Sequence, residues 1–452
     1  MIGPKLAAAR AAGALSRRAG RGGTSLPGKV LLRLEPEAIA TLSSRLPQGS
    51  VAISATNGKT TTAAIVAAIL ARAEGRVVHN VQGANMAGGV ASALLDASHG
   101  TRIDGEIGLF EVDEFWLDRV APQLRPRALL LGNLFRDQLD RYGELETIAD
   151  RWAAVLDRLP GTRLVLNADD PLVADLGLGR DDPLYFGVED DAVALAHLPH
   201  ASDSKHCRRC GTPLAYDAVY VGHLGRWHCP RGDSSRPAPA VTAANIRLDG
   251  TRGAQLLLRT PAGDAEVRLG LPGLYNVYNA LGAAALALAL GISLDDIVAG
   301  LEEVRAAFGR AETVQIDGHE LAILLVKNPT GANEVLRTLA LEAGEIDLLA
   351  VLNDNVADGR DVSWIWDADL ELLAGSVRRV VCSGTRAPEL ALRLKYAGIE
   401  PERIEVIDDL EAGLDAALAG AGDRLYAMPT YTAMLALREL LARRGSTAGM
   451  FT

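Results

Sequence analysis

Short apolar runs that end in polar or glycine-containing turns alternate with longer helical stretches along most of this chain. The runs at 51–53, 77–80, 107–112, 128–131 and 163–166 are four to six residues or shorter, rich in Val, Ile and Leu, and continuous rather than alternating. That pattern predicts strands buried on both faces, and so a parallel, doubly wound sheet covered by helices. Each run ends in chemistry. The first leads to Ser54-Ala55-Thr56-Asn57-Gly58-Lys59-Thr60-Thr61-Thr62. The second leads to a Gly-rich loop over 82–89, and the third to Glu111-Val112-Asp113-Glu114. The fourth leads to Gly132-Asn133 and on to Asp137 and Asp140, the fifth to Asn167-Ala168-Asp169-Asp170-Pro171. In such sheets ligands sit at the carboxyl ends of the strands, so these loops should converge near Lys59.

The 51–62 stretch reads as strand, phosphate loop and helix, with an Ala-rich helical run over 63–71. Backbone N–H groups of such a turn and of the following helix N-terminus can cradle phosphate. Thr56, Asn57, Gly58, Lys59, Thr60 and Thr61 are the candidate nucleotide contacts. Lys59 would reach the β/γ-phosphates and the Thr60 hydroxyl would ligate Mg²⁺. The strict phosphate-loop pattern fails at its first glycine, where Ile53 stands. Glu111 is the natural Mg²⁺ carboxylate, because Mg²⁺ takes hard oxygen ligands. Asp113 and Glu114 read equally well as a solvated loop. Asn133, Asp137 and Asp140 could orient substrate or nucleotide, or simply cap helices.

Two further segments break the rhythm. Cys207-Arg208-Arg209-Cys210-Gly211 is a knuckle, followed by Trp227-His228-Cys229-Pro230-Arg231-Gly232. Two cysteine pairs at this separation would make a zinc ribbon, but one cysteine of the second pair is missing. Cys207, Cys210 and Cys229 are therefore candidate structural Zn²⁺ ligands, with His206, His223, His228, Asp233 or water as the fourth; the alternative is a ribbon that folds without metal. After a strand at 348–352, the 353–367 loop holds Asp354, Asp358, Asp361 and Asp367 with Trp364 and Trp366, in a chain with only five Trp. Such a loop favours a site or an interface. Between these segments, Asn276 and Asn279 share a helix face and could bond an adenine edge, or Asn276 could cap the helix. Arg310 suits bridging a γ-phosphate.

At 452 residues the chain holds two or three domains. Its formal net charge of −11 argues against a nucleic-acid partner. The first 34 residues depart from this: they carry Lys5, Arg10, Arg17, Arg18, Arg21, Lys29 and Arg33 and no acid. A transit peptide, a membrane-surface helix or a protein-packed basic helix would each fit. Four cysteines in so long a chain make no disulfide framework, and a cytoplasmic protein is expected. The segments divide as a basic helical stretch over 1–45, a central ATP-binding domain over 46–312 with the ribbon inserted at about 204–238, and a smaller α/β domain over 313–452.

Ala55-Thr56-Asn57-Gly58-Lys59-Thr60-Thr61-Thr62, Asn133…Asp137-x-Leu139-Asp140, Asn167-x-Asp169-Asp170, Gly273-x₂-Asn276-x₂-Asn279 and Gly309-Arg310-x-Glu312 resemble the Mur ligase ATP-binding domain. Gly83-Ala84-Asn85-Met86, Phe135-Arg136-Asp137-Gln138, the inserted ribbon, Lys327-Asn328-Pro329 and Asp358-Gly359-Arg360-Asp361-x-Ser363-Trp364 resemble the MurT family, the Mur-ligase-like subunits of lipid II isoglutaminyl synthase. The resemblance implies a central parallel-sheet domain with a phosphate loop and an inserted knob, then a smaller α/β domain. It implies ATP- and Mg²⁺-dependent phosphorylation of the α-carboxylate of D-isoglutamate in the lipid II stem peptide. Ammonia would then attack the acyl phosphate. That ammonia would come from a separate amidotransferase-like subunit, GatD, whose Cys-His pair Asp361 would complete across the interface. The lipid substrate would place the protein at the inner membrane face.

Three departures accompany the resemblance. Ala55 replaces the usual Gly. No Lys lies between Lys59 and Lys205, so the carbamylated lysine of typical Mur ligases has no counterpart there. Lys327 stands where many Mur ligases have an Asp that orients an amino-acid nucleophile, which fits ammonia as the acceptor. The rival readings are a stand-alone amino-acid-adding Mur or folylpolyglutamate-type ligase, and a non-catalytic ATP-binding scaffold.

Overall fold

The computed structural model describes residues 2–18, 25–80, 84–136, 145–199, 202–305 and 310–446, with only the backbone of Arg17, Arg18, Arg310 and Ala311. Three helices lead in: α1 (Gly3–Arg18), α2 (Leu26–Leu34) and α3 (Ala38–Ser43). The first sheet follows as β1 (Ser50–Ser54), α4 (Lys59–Ala73), β2 (Val77–His79), α5 (Ala87–Ala97), β3 (Ile107–Glu111), α6 (Leu117–Leu124), β4 (Ala128–Leu131), α7 (Leu145–Leu156), β5 (Arg163–Asn167), α8 (Pro171–Asp175) and β6 (Leu184–Val188). A hairpin, β7 (Ala215–Val221) and β8 (Leu224–His228), interrupts the chain. It continues with β9 (Val241–Leu248), β10 (Ala254–Thr260), β11 (Gly263–Leu269), α9 (Leu274–Ala289) and α10 (Leu294–Glu303).

The sheet order is β11-β10-β9-β6-β5-β4-β1-β3-β2. From β9 to β2 every neighbouring pair is parallel; β10 and β11 are antiparallel additions at one edge. The continuous apolar runs are explained by burial on both faces: all five residues of β1 and of β3 are buried. One face packs Val51 and Ile53 against Ile65, Val66 and Ile69 of α4 and the apolar α9. The other packs Ala52 and Phe110 against Val90 and Leu94 of α5, Trp152 of α7, and Leu31 of α2. Helix α9 carries no charged residue and is buried nearly all round, which is why its pattern lacks a polar stripe. The basic N-terminal stretch is protein-packed on its inner side, with Leu6, Ala9 and Leu31 buried.

The second sheet contains β12 (Arg310–Ile316), β13 (His319–Leu324), α11 (Pro329–Leu339), β14 (Ile346–Val351), β15 (Val377–Ser383), α12 (Ala387–Tyr396), β16 (Ile404–Val406), α13 (Leu410–Gly420), β17 (Arg424–Pro429) and α14 (Tyr431–Arg443). Its order is β12-β13-β17-β14-β15-β16. A hairpin, β12–β13, enters this sheet and the rest is parallel. Both of its faces are covered by apolar clusters of their own.

Candidate nucleotide and acyl-transfer site

The loop after β1 turns sharply at Gly58 (φ 84°), in the left-handed region that glycine tolerates. A Cβ there would sit 2.0 Å from Asn279 Oδ1, so α9 closes directly on the turn. Asn279 accepts from Thr62 Oγ1 at 3.3 Å and donates to Asn276 Oδ1 at 2.9 Å, while Asn276 donates to the Pro272 carbonyl at 2.7 Å. Asn276 therefore lies inside the helix, one turn past a Gly273 N-cap, and not at the cap position. Both Asn side chains are buried beside the phosphate loop.

Lys59 opens α4 and its Nζ lies 2.8 Å from Glu114 Oε2, with both side chains buried. The ammonium also donates to the Ala55 and Thr56 carbonyls. Burial alone would push Lys59 towards neutrality. The Glu114 charge and hydrogen bond, with Asp113 and Glu111, more than offset it and hold the ammonium above its ordinary value. Thr60 Oγ1 donates to Glu111 Oε1 at 3.2 Å, and Asn85 Nδ2 reaches the same oxygen at 3.4 Å. Asn80 brackets the Glu111 backbone at 2.8 and 2.9 Å, fixing where that carboxylate points. Thr61 is half-buried on the first turn of α4.

Glu114 corrects one expectation. It is no part of a solvated loop: the backbone after β3 turns it inward, where Trp152 Nε1 donates to its carbonyl at 3.0 Å. Asp113 beside it is held above the ordinary carboxylate range, first by burial and then by the Glu114 charge, against the opposing pull of Lys59 and Lys327. Nothing in an acid's position two or three residues past a strand separates these two fates.

The loop after β4 clamps the turn from the other side. Asn57 N–H donates to Asn133 Oδ1 at 2.9 Å, Asn133 Nδ2 returns to the Asn57 carbonyl at 3.0 Å, and Phe135 N–H donates to Thr56 Oγ1 at 3.1 Å. Asp170 caps α8 and accepts from Leu134 N–H at 2.8 Å. Asp169 is structural, buried under Arg236 Nε at 2.6 Å and the Tyr278 hydroxyl. The second domain also touches this point: Asn328 Nδ2 donates to Asn57 Oδ1 at 2.9 Å while its Oδ1 caps α11. In the sequence Asn328 stands only within the Lys327-Asn328-Pro329 motif, and no local pattern points to its contact with Asn57, 271 residues away. Gly83, Asp137, Gln138, Leu139, Asp140, Gly309 and the Arg310 side chain lie outside the described residues.

On the second domain, Asp361 is exposed and, among the described residues, its Oδ1 accepts locally, from Ser363 N–H at 2.8 Å. The Ser363 hydrogen bonds hold it below the ordinary carboxylate range. The neighbouring acids are committed elsewhere. Asp354 pairs with Arg386 at 2.8 Å, and Asp358 is buried, accepting from Thr432 N–H at 2.7 Å.

In the inserted hairpin, the sulfurs of Cys207, Cys210 and Cys229 all lie within 4.8 Å of one another. The two knuckles close alike: Cys207 N–H bonds the Thr212 carbonyl and Cys229 N–H bonds the Ser234 carbonyl, each at 2.8 Å. Asp233 Oδ2 is 3.8 Å from Cys229 Sγ. His223 does not join them, being fully buried with Nε2 3.4 Å from Asp170 and its ring 4.8 Å from Phe135. His228 lies beside Asp217 at 3.6 Å. Cys382 is buried in β15, where burial pushes its thiol up to about 12.

Known proteins share this arrangement. Residues 53–210 match the Mur ligase middle domain. Among solved structures, MurF from Acinetobacter baumannii superposes with a TM-score of 0.66 at 20% identity, covering 93% of this chain and 80% of that one. A pseudomurein peptide ligase type C from Methanothermus fervidus gives 0.66 at 23% identity, covering 89% and 80%. The fold is thus that of the Mur ligases. Residues 325–434 match the MurT ligase C-terminal model. The MurT subunit of lipid II isoglutaminyl synthase (glutamine-hydrolyzing) from Streptococcus pneumoniae is 34% identical over 97% of this chain and 96% of its own. Its Staphylococcus aureus counterpart is 33% identical over 95% of each. The chain belongs to the MurT family of Mur-type ligases.

Proposed function

We propose that this chain is the ATP-using subunit of a lipid II isoglutaminyl synthase, working with a separate glutaminase subunit of the GatD kind. The observation that carries the reading is the convergence of Lys59, Thr60 and Glu111 at the carboxyl ends of β1 and β3, within reach of Asn328 from the second domain. These residues suit a nucleotide triphosphate and a divalent cation: an ammonium for phosphate oxygens, and a hydroxyl and carboxylate already sharing one point for Mg²⁺. When bound, Mg²⁺ would screen the β/γ-phosphate charge, held by Thr60 and Glu111. The turn at 56–58 would present backbone N–H groups to the phosphates, while Thr61, Asn276, Asn279 and Arg310 would complete the nucleotide's surroundings.

A substrate carboxylate oxygen would attack the γ-phosphorus, forming an acyl phosphate as ADP leaves. Ammonia would then attack the acyl carbon and expel phosphate, leaving the amide of D-isoglutamine. Lys59 would neutralise charge on the phosphoryl group in flight. Asp361, exposed and held only by its own loop, would orient the histidine of a partner's Cys-His pair, fixing its tautomer as the third member of a triad does. The three clustered cysteines would hold a structural Zn²⁺, with Asp233 the nearest further oxygen donor. No described helix is long and apolar enough to cross a membrane, so contact with a lipid-linked substrate would be peripheral, at the cytoplasmic face.

Purifying the chain with its glutaminase partner and assaying amidation of the lipid-linked substrate with glutamine, then with ammonium, tests the proposal. ATP turnover driven instead by a free amino acid would favour the stand-alone ligase, the reading that the Mur fold alone would suggest. Lys327, near Asp113, is the residue that argues against it.

A further inference from the structure

We infer that the outer face of α2 is a docking surface for an anionic bilayer, placed to hold this ligase against the membrane that carries its substrate. The inference rests on the lipid-linked substrate proposed above. The inner face of α2 is spent on packing: Pro27, Gly28 and Leu31 are buried. Gly28 N–H donates to Ser92 Oγ of α5 at 2.9 Å. Lys29 lies at the border of the two faces, its stem crossing Gly88 of α5 (where a Cβ would meet Lys29 Cγ at 2.8 Å) while the residue as a whole stays exposed. The opposite face is formed by Leu26, Lys29, Arg33 and Leu34, spaced as one helical stripe. All four are exposed, the leucines at 37% and 43%. A further leucine, Leu15 of α1, is 66% exposed.

Exposed leucines interleaved with cations, and no acid, is the composition that seats a helix in a headgroup layer. The cations of α1 have other work: Lys5 pairs with Glu35 at 2.8 Å, and Arg10 donates to the Leu95 carbonyl at 2.8 Å. Among the described residues Lys29 and Arg33 form no ion pair with a carboxylate, and the next exposed acid, Glu37, lies past the end of α2. In a chain of net charge −11, seven cations and no acid in the first 34 residues are a local reversal of sign. Such a reversal is complementary to an anionic lipid surface.

Position supports the same occupant. Helix α2 lies on α5, and α5 begins just after Asn85, whose amide reaches Glu111 in the site. A bilayer against α2 would therefore hold a lipid-anchored stem peptide within a short span of the phosphoryl-transfer centre. A soluble substrate would need no such surface beside it.

The test uses the full-length chain in complex with its glutaminase partner and vesicle co-sedimentation. Wild type should bind vesicles containing phosphatidylglycerol, bind phosphatidylcholine vesicles far less, and release as salt rises. Lys29→Gln/Arg33→Gln should lower the partition coefficient about thirtyfold, at about fivefold per cation lost. Lys29→Arg/Arg33→Lys should keep it. Equal partition of wild type and the neutralised variant, equal binding to both vesicle types, or a face covered by the partner in the complex would overturn the inference. Amidation of detergent-dispersed substrate with ammonium is measured in parallel. Loss of that activity in wild type would refute the proposed function while leaving the vesicle result to be judged by itself.

Discussion

Replacing Glu114 by Ala asks how far the phosphate-loop lysine depends on its buried partner. The two side chains are 9% and 4% exposed and 2.8 Å apart. Burial works against the ammonium, and Glu114 supplies the largest opposing contribution, ahead of Asp113 and Glu111. Removing it leaves the burial cost with two weaker offsets and the Ala55 and Thr56 carbonyls. The loss should therefore fall near the lower end of the range for breaking a buried pair, about 3 kcal/mol. That is roughly a hundredfold in the folding equilibrium. The pH at which to look follows from the sign of the shift. Lys59 is raised above its unfolded value, so its contribution is fully present below the unfolded lysine value of about 10.4 and fades only as pH climbs through the folded one. A neutral buffer measures all of it. Urea unfolding would be followed by tryptophan fluorescence, with Trp152 sitting directly on the Glu114 carbonyl. The decisive companion is Lys59→Met/Glu114→Leu. It removes the burial cost together with the pair and should recover most of the lost stability, though this double variant, lacking the Lys59 charge, should not transfer phosphate. A loss below about 1 kcal/mol in Glu114→Ala, or a double variant less stable than the single one, would refute the reasoning.

Three further outcomes are expected. Lys59→Ala should abolish ATP-dependent amidation with either nitrogen source, because no other described cation occupies its place against the phosphoryl group; unchanged turnover would remove the phosphate-loop assignment. Asp361→Asn should lower glutamine-dependent amidation about a hundredfold or more while sparing the ammonium-dependent reaction, and equal loss with both would point to a capping role alone. Protein prepared without chelators should carry about one zinc per chain, lost in Cys207→Ser and weakened in Asp233→Ala; metal analysis finding none would favour a ribbon that folds without it.

The alternating strands and helices were legible because parallel sheets bury both faces, and unbroken apolar runs are hard to produce otherwise. That topology also explains why Lys59, Thr60 and Glu111 could be brought together on paper: strand ends in such a sheet share one edge. What was not legible depended on the direction of a side chain or on a long-range contact. Glu114 and Asp113 are adjacent in a loop, and only the backbone path after β3 sends one of them under Lys59. Asn57 and Asn328 are 271 residues apart, and no local pattern links them. His223 sits among plausible zinc ligands in sequence, yet the turn between β7 and β8 aims it away from the sulfurs and into Phe135. Asn276 could contact an adenine or cap its helix, since asparagines favour the cap position; in the structure Gly273 takes the cap and the Asn276 amide faces back along the helix. The basic N-terminus read as targeting, membrane contact or packing, since one amphipathic helix can serve a core with one face and a partner with the other.

That same hairpin shows why an inserted knob belongs to the site's architecture. Its turn is wedged against two of the segments that build the site. A Cβ on Gly222 (φ 56°) would meet the Phe135 ring at 2.9 Å and Thr330 Cγ2, in the first turn of α11, at 3.2 Å. Arg337 of α11 donates to the Tyr220 carbonyl at 2.7 Å, tying the second domain to β7. Phe135 in turn holds Thr56 through its N–H, and Asp170 under His223 holds Leu134. The hairpin thus braces the loop after β4 from below while that loop grips the phosphate turn from above. Asn328 and Arg337 lie on one helix and its cap, so the contact that reaches Asn57 and the contact that reaches the hairpin move as one body with α11. A change in how the second domain sits would be felt at Asn57 directly and at Thr56 through Phe135. The cysteine cluster lies at the far end of the same short hairpin, where a metal would stiffen the lever without touching the chemistry.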